Sequence, residues 1–282
     1  GARITGLLDL DDATLDSPLV LAFCRLEEPI SLLNARTKSL TVDGSHLLGV
    51  LASRLESEGD VTFSGSKIAG VRNSAVGTLA VWMEGATVGG VLALDAGFEA
   101  GLEVRLTATR VGATLMCNGG SFTNGGVGRW ALNADGVRAG QGISLGLGFS
   151  AQGDVNFKRA QITGFLNCAG GSFVGGTSGN ALTCDGVQVT GDAYLTKDFR
   201  ANGEVRLVGA NIEGDLNCRG GVFENDGGNG DALTADRARV GGNVYLSHGF
   251  EALGHVRFVV AEVRGQFVCS GGRFSSKRNA AI

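Results

Sequence analysis

A chain of 282 residues with 43% hydrophobic and only 18% charged residues has apolar material for one large domain or two ordinary ones. Its 48 Gly, beside 2 Pro and 6% aromatics, follow no collagen period and sit in no Ser/Gln tract, which points to many tight turns rather than disorder. A formal charge of −4 argues against a basic nucleic-acid footprint, and no run approaches the roughly eighteen apolar residues of a membrane helix.

Gly1 to Leu10 carries no charged-then-apolar leader pattern and already reads as repeat. Ala13, Cys24 and Ala35 stand eleven apart, as do Leu8, Leu19 and Ile30, and Leu10, Leu21 and Leu32. Two such units, as from Leu8 to Ile30, make one coil. Residues 40–79 break this regularity and give no register of their own.

From residue 80 a longer period takes over. Cys117-Asn-Gly-Gly-Ser-Phe122, Cys168-Ala-Gly-Gly-Ser-Phe173, Cys218-Arg-Gly-Gly-Val-Phe223 and Cys269-Ser-Gly-Gly-Arg-Phe274 recur at intervals of 51, 50 and 51. Phe98, Phe149, Phe199 and Phe250 keep the same intervals, as do Ala80, Ala131, Ala181 and Ala232. Residues 80–282 therefore hold four copies, each about fifty residues long. Each copy splits again into a short coil and a longer one, since Val205-Arg-Leu207 overlays Leu182-Thr-Cys184 and Ile212 overlays Val189.

Stacking the coils in that register lines up apolar columns. One reads Val81, Val104, Leu132, Val155, Leu182, Val205, Leu233, Val256. A second runs from Val88 and Val111 to Val240 and Val263, and a third alternates Leu94, Cys117, Leu145, Cys168, Leu195, Cys218, Leu246, Cys269. Alternation such as Val205-Arg206-Leu207 is the mark of a strand with one face buried. Gly follows many of these runs (Gly90, Gly164, Gly191, Gly214, Gly242, Gly265), where a corner needs positive φ or a close backbone approach. One coil cannot bury its own inward residues, whereas stacked coils seal them into a continuous core. The pattern predicts an all-β chain, a right-handed parallel β-helix (β-solenoid) of about twelve coils. At the strand spacing of roughly 4.8 Å the rod is on the order of 55 Å long. A propeller lacks its hairpin signals here, and a leucine-rich repeat lacks its Asn-bearing consensus.

The opening stretch Gly1-Ala-Arg-Ile-Thr-Gly6-Leu-Leu-Asp-Leu10-Asp-Asp-Ala13, with Phe23-Cys24-Arg-Leu26-Glu-Glu-Pro29 and Leu40-Thr-Val-Asp-Gly-Ser-His46-Leu, resembles a known family. It is similar to the pentapeptide-repeat-like N-terminal regions of large, mostly actinobacterial proteins often labelled membrane-associated oxidoreductases. The resemblance extends through the Ala-Leu-Thr-x-Asp segments. In that family a helical segment and membrane helices usually follow the repeats, so it implies membrane attachment only through segments absent here.

Chemistry is sparsely marked. Gly140-Gln-Gly142 and Gly228-Asn-Gly230 are incomplete dinucleotide fingerprints with no helix behind them, and read as turn glycines. No Cys-x-x-Cys occurs. Cysteines of the third column lie on alternate coils, roughly 9.6 Å apart, beyond the reach of a disulfide. They are expected as unpaired, buried thiols, which suits a reducing, cytoplasmic compartment. His46, His248 and His255 have no partner at recognisable spacing and read as solvated. No cofactor or metal is expected.

Two surface features remain. The outward column beside the first apolar one reads Trp82, Arg105, Asn133, Asn156, Thr183, Arg206, Thr234, Arg257. Its arginines, Arg105, Arg206 and Arg257, are candidates for meeting an extended anion, and otherwise line a solvated strand face. Gly/Asn/Asp-rich excursions at 123–129, 174–180 and 224–231 leave the same corner of every second coil, either as slack turns or as a row of loops presenting backbone donors or a calcium-tolerant rim.

The expected function is a non-enzymatic structural or protein-interaction module, binding a protein partner along a strand face or the loop-bearing corner. Neither end reads as capped, so self-association through the solenoid ends or flanking sequence is also expected. A DNA mimic acting on a topoisomerase would need a continuous acidic strip. An enzyme acting on a polysaccharide, or an oxidoreductase, would need clustered carboxylates or a bound cofactor.

Overall fold

The computed structural model describes residues 1–73, 77–124, 126, 128–225 and 230–276. Among them there is no helix. The chain winds as a right-handed parallel β-helix, and each coil passes through four faces in a fixed order. Face one begins with Arg3–Ile4, face two with Leu8–Asp9, face three with Thr14–Leu15 and face four with Leu19–Val20. Twelve strands stack on face one and eleven each on faces three and four. Face two is a twelve-stranded sheet whose strand Val71–Asn73 lies off the main path.

The columns stack as their spacing requires. Val81, Val104, Leu132, Val155, Leu182, Val205, Leu233 and Val256 pair in succession down face two. Val88 to Val263 do the same on face three. The eleven-residue unit is half a coil: Leu8 pairs with Ile30 on face two, and Leu19 with Leu40 on face four. Residues 40–68, which the sequence leaves without register, continue the same coils, for Val50 pairs with Ile30 before it and Val81 after it.

A single aromatic spine fills the later core. Phe98, Phe122, Phe149, Phe173, Phe199, Phe223, Phe250 and Phe274 stack with ring centroids 5.0 to 5.3 Å apart. The rings come from two sequence positions. Phe122, Phe173, Phe223 and Phe274 are inward residues of face-one strands, while on the intervening coils that place belongs to Ala100, Ala151, Ala201 and Ala252. There Phe98, Phe149, Phe199 and Phe250 enter from the corner just before the strand. The corner of a strand-Phe coil must then be empty: a Cβ on Gly171 would lie 2.8 Å from the Phe173 ring and 2.5 Å from the Leu145 carbonyl oxygen. Its neighbour Gly170 takes the left-handed turn at φ 73. This exchange of volume between corner and strand produces the two-coil period. Earlier coils fill the same corner with Cys24, Ser45 and Ser66, where the Cys24 N–H donates to Ser45 Oγ at 2.8 Å and the Ser45 N–H to Ser66 Oγ at 2.9 Å.

The repeated alanines have a backbone cause. Pairing on face two slips by one residue between Leu79 and Val81, Trp130 and Leu132, Asn180 and Leu182, and Asp231 and Leu233. Ala80, Ala131, Ala181 and Ala232 are the extra residues of these bulges, each fully buried. Gly191 and Gly214 serve close approach rather than positive φ: a Cβ there would meet the Gly164 carbonyl oxygen at 2.6 Å and Asp192 Oδ1 at 2.1 Å.

Cys24, Cys117, Cys168, Cys184 and Cys218 are free and buried, and burial pushes the thiols of Cys117, Cys168, Cys184 and Cys218 well above their ordinary range. Cys269 departs from the expected burial. It is exposed, because no further described coil covers the last turn.

Two outcomes are expected. Phe173→Ala opens a gap within the aromatic spine and costs about 3–5 kcal/mol, measured by equilibrium denaturation. Under native conditions a thiol reagent labels Cys269 and spares Cys117, Cys168, Cys184 and Cys218 until denaturant is added, measured by mass spectrometry.

Candidate functional site

The outward arginine column forms as its spacing implies, with Trp82 paired to Arg105, Thr183 to Arg206 and Thr234 to Arg257. Each guanidinium is already engaged by carboxylates. Arg105 holds both oxygens of Glu103, at 2.9 and 3.1 Å, and this pairing raises its pKa further. Arg206 bridges Glu204 at 3.0 Å and Asp185 at 3.2 Å. Arg257 reaches Asp236 at 2.7 Å and Asp231 at 3.7 Å, and the Asp236 carboxyl is held below its usual range by that hydrogen bond. The fourth equivalent place belongs to Asn156, which donates to Asn133 at 2.8 Å. The column stands as a run of satisfied ion pairs.

The corner between faces one and two is different. Coils are short where this corner is tight, so that Ser150 pairs with Ser172 and Arg200 with Val222. They lengthen where it carries an excursion, and there Ser172 pairs with Arg200 and Ser121 with Ser150. The excursions read from the sequence, 123–129, 174–180 and 224–231, all leave here, with 125, 127 and 226–229 outside the described residues. A fourth, which the sequence did not reveal, is an antiparallel hairpin of Val71–Asn73 with the start of Gly77–Trp82. Excursions thus project from every second coil, roughly 9.6 Å apart along one edge.

Two of these loops, 123–129 and 174–180, are anchored on the coil that lies between them. Asp154, whose side chain has no exposed surface, accepts from Arg129 Nε at 2.8 Å, from the Gly176 N–H at 2.8 Å and from the Ser178 hydroxyl. Asn124 clamps its own loop, donating to the Gly128 carbonyl at 2.7 Å and accepting the Gly126 N–H at 2.9 Å. Asn225 donates to the Asp231 carbonyl at 2.6 Å. At the same corner His255 meets Asp231, Nδ1 to Oδ1, at 3.1 Å. His255 is exposed, as read, and its carboxylate partner lies one coil away, at a sequence distance that no linear motif signals. His248 sits in a left-handed turn against Ser247.

Between the excursions and the outward column of face one runs a furrow. Its floor is the residue that ends each face-one strand or directly follows it: Leu48, Ala69, Gly101, Thr123, Gln152, Val174. One side is the column Arg25, His46, Lys67, Glu99, Ser121. On the other side Val71 of the hairpin packs onto Gly49, where a Cβ would come within 2.3 Å of it. The furrow opens into a cavity of about 600 Å³ over Leu48 and Ala69 and a second of about 500 Å³ between the loops at Asn124 and Gly175. Lys67 pairs with Glu99 at 2.8 Å, and Glu27, at the head of the floor, with Arg3. Arg25 and His46 make no side-chain hydrogen bond or ion pair among the described residues.

Among the described residues no group of three or more His, Cys, Asp or Glu is placed to hold a metal ion, and no helix is long and apolar enough to cross a membrane. Comparison of the chain with protein-family models, curated proteins and solved structures gives no match.

Removing the loop anchor tests its role. Asp154→Ala leaves the Gly176 and Ser178 donors without their acceptor and is expected to cost about 1–3 kcal/mol. Hydrogen exchange should quicken over 175–179 while coils at 40–68 keep wild-type protection.

Proposed function

We propose that the chain is a non-enzymatic interaction scaffold, a rigid rod that receives an extended segment of a protein partner in the furrow beside its loop-bearing corner. The observation that carries this reading is the placement of the excursions. All of them rise from one corner, at a two-coil interval, and flank a continuous floor from Leu48 to Val174. Slack turns have no need of an anchor such as Asp154, whose side-chain hydrogen bonds among the described residues all go to excursion residues. A loop held this way enters binding with its ordering entropy already spent.

Five rises of the coil, about 24 Å, separate Leu48 from Val174, a length that about seven extended residues cover. The alternatives draw less support. A DNA mimic needs an unbroken acidic strip, but face one presents Arg25, His46 and Lys67, and face three Arg110 beside Arg138. An enzyme would draw on an engaged carboxylate set, since Glu103, Asp154 and Glu204 are each bound to an arginine. Unpaired buried thiols fit a reducing, cytoplasmic setting, and membrane attachment would come through segments outside this chain.

Photo-crosslinking in the native cell tests the reading. A photoreactive residue placed at Leu48, Thr123 or Val174 should trap one and the same protein, and the same residue at Gln161 or Gln188 on face three should not. Equal capture from both faces, or none from the furrow, contradicts the proposal.

A further inference from the structure

The half of the furrow nearest the first coils differs from the rest in charge. On face one Arg3 lies directly opposite Arg25, Arg25 opposite His46, and His46 opposite Lys67. Arg3 and Arg25, directly opposite one another, repel, which disfavours the fold unless something answers them. Arg3 and Lys67, at the two ends of this row, are answered by Glu27 and Glu99. The middle pair, Arg25 and His46, is not, and both side chains border the 600 Å³ cavity. On the floor beside them Arg25 has Glu27, already held by Arg3, and His46 has the half-buried Leu48, followed by Ala69 beside Lys67.

We infer that this part of the furrow selects an acidic, amphipathic peptide segment, one that lays carboxylates over Arg25 and His46 and apolar side chains over Leu48 and Ala69. This inference rests on the furrow being a peptide site and adds the chemistry of its occupant. The charge pattern separates such a segment from a uniform polyanion. Glu27 and Glu99 bracket the cations, so a long anionic polymer running along the rod meets a carboxylate at either end. A short peptide with two or three alternate acidic residues does not, because its same-side residues recur at roughly 6.6 Å and three of them span roughly 13 Å, inside the roughly 14 Å that separates Glu27 from Glu99. Two carboxylates are sufficient. Ion pairing in so open a cleft is screened, and the affinity should fall as salt rises.

Fluorescence anisotropy with labelled seven-residue peptides alternating Glu and Leu, Gln and Leu, or Lys and Leu, together with inorganic polyphosphate as competitor, tests this on the full chain. The Glu/Leu peptide should bind at least tenfold more tightly than the Gln/Leu peptide. Arg25→Glu should abolish that preference and turn it toward the Lys/Leu peptide, and His46→Glu should act in the same direction. Both side chains are exposed, so neither change disturbs the core, and circular dichroism should be unchanged. Equal binding of Glu/Leu and Gln/Leu peptides, unaffected by Arg25→Glu, overturns the acidic selectivity while leaving the furrow as a peptide site. Binding of none of the peptides overturns both. Polyphosphate displacing the Glu/Leu peptide with matching affinity overturns the choice of a peptide over a general anion.

Discussion

A parallel coil is incomplete by itself: its inward side chains and its edge amides find partners only in the coils above and below. Everything else in this molecule follows from that constraint. Leu40 and Val42 donate their N–H groups to the next coil at Asp60 and Thr62, and Val61 and Phe63 pass the same pattern on to Val91 and Ala93. With backbone bonds running along the rod, each position on a coil stands over its equivalent, and any side chain that suits one coil must suit its neighbours. Columns of Val, Leu, Cys and Phe are the result, and a rod whose surface is also organised in columns.

The aromatic spine shows how a repeat of two coils arises from packing alone. A ring supplied by the strand, as at Phe173, needs an empty corner at Gly171; a ring supplied by the corner, as at Phe199, needs a small strand residue at Ala201. From Phe98 to Phe274 the two arrangements alternate coil by coil. The excursions share this alternation, because they leave the coils that carry Phe122, Phe173 and Phe223 on the strand. From Phe122 onward the excursions and the strand-borne rings fall on the same coils, while the first excursion, the hairpin from Val71, leaves a coil with Ile68 at that place.

What the sequence reveals and what it hides have the same origin. Apolar columns are legible because Leu, Val and Cys recur at near-constant intervals and the core tolerates few alternatives. Residues 40–68 escape for a small reason: Ile30, Leu40 and Val50 are ten apart while Leu8, Leu19 and Ile30 are eleven, and that small change hides the register. The hairpin at 71–79 then lengthens the coil that runs from Lys67 to its partner Glu99. Partnerships across coils are harder still. Asp154 with Arg129 and Ser178, or His255 with Asp231, are joined across a full coil, at separations that shift with each excursion. The furrow is a further step removed, since its floor and wall come from seven coils and its only signal, the row Arg25, His46 and Lys67, becomes a row once the coils are aligned.

Continuity of the stacking through this least legible stretch is the claim on which the rod and its furrow both depend, and amide hydrogen exchange across 40–81 tests it most directly. The backbone N–H groups of Leu40, Val42, Ala52, Val61 and Phe63 are bonded to the coil that follows. They should exchange as slowly as those of Leu145, Phe157 and Cys184 in the regular two-coil copies. Rapid exchange throughout 40–81, with protection beginning only beyond residue 80, would contradict a continuous solenoid.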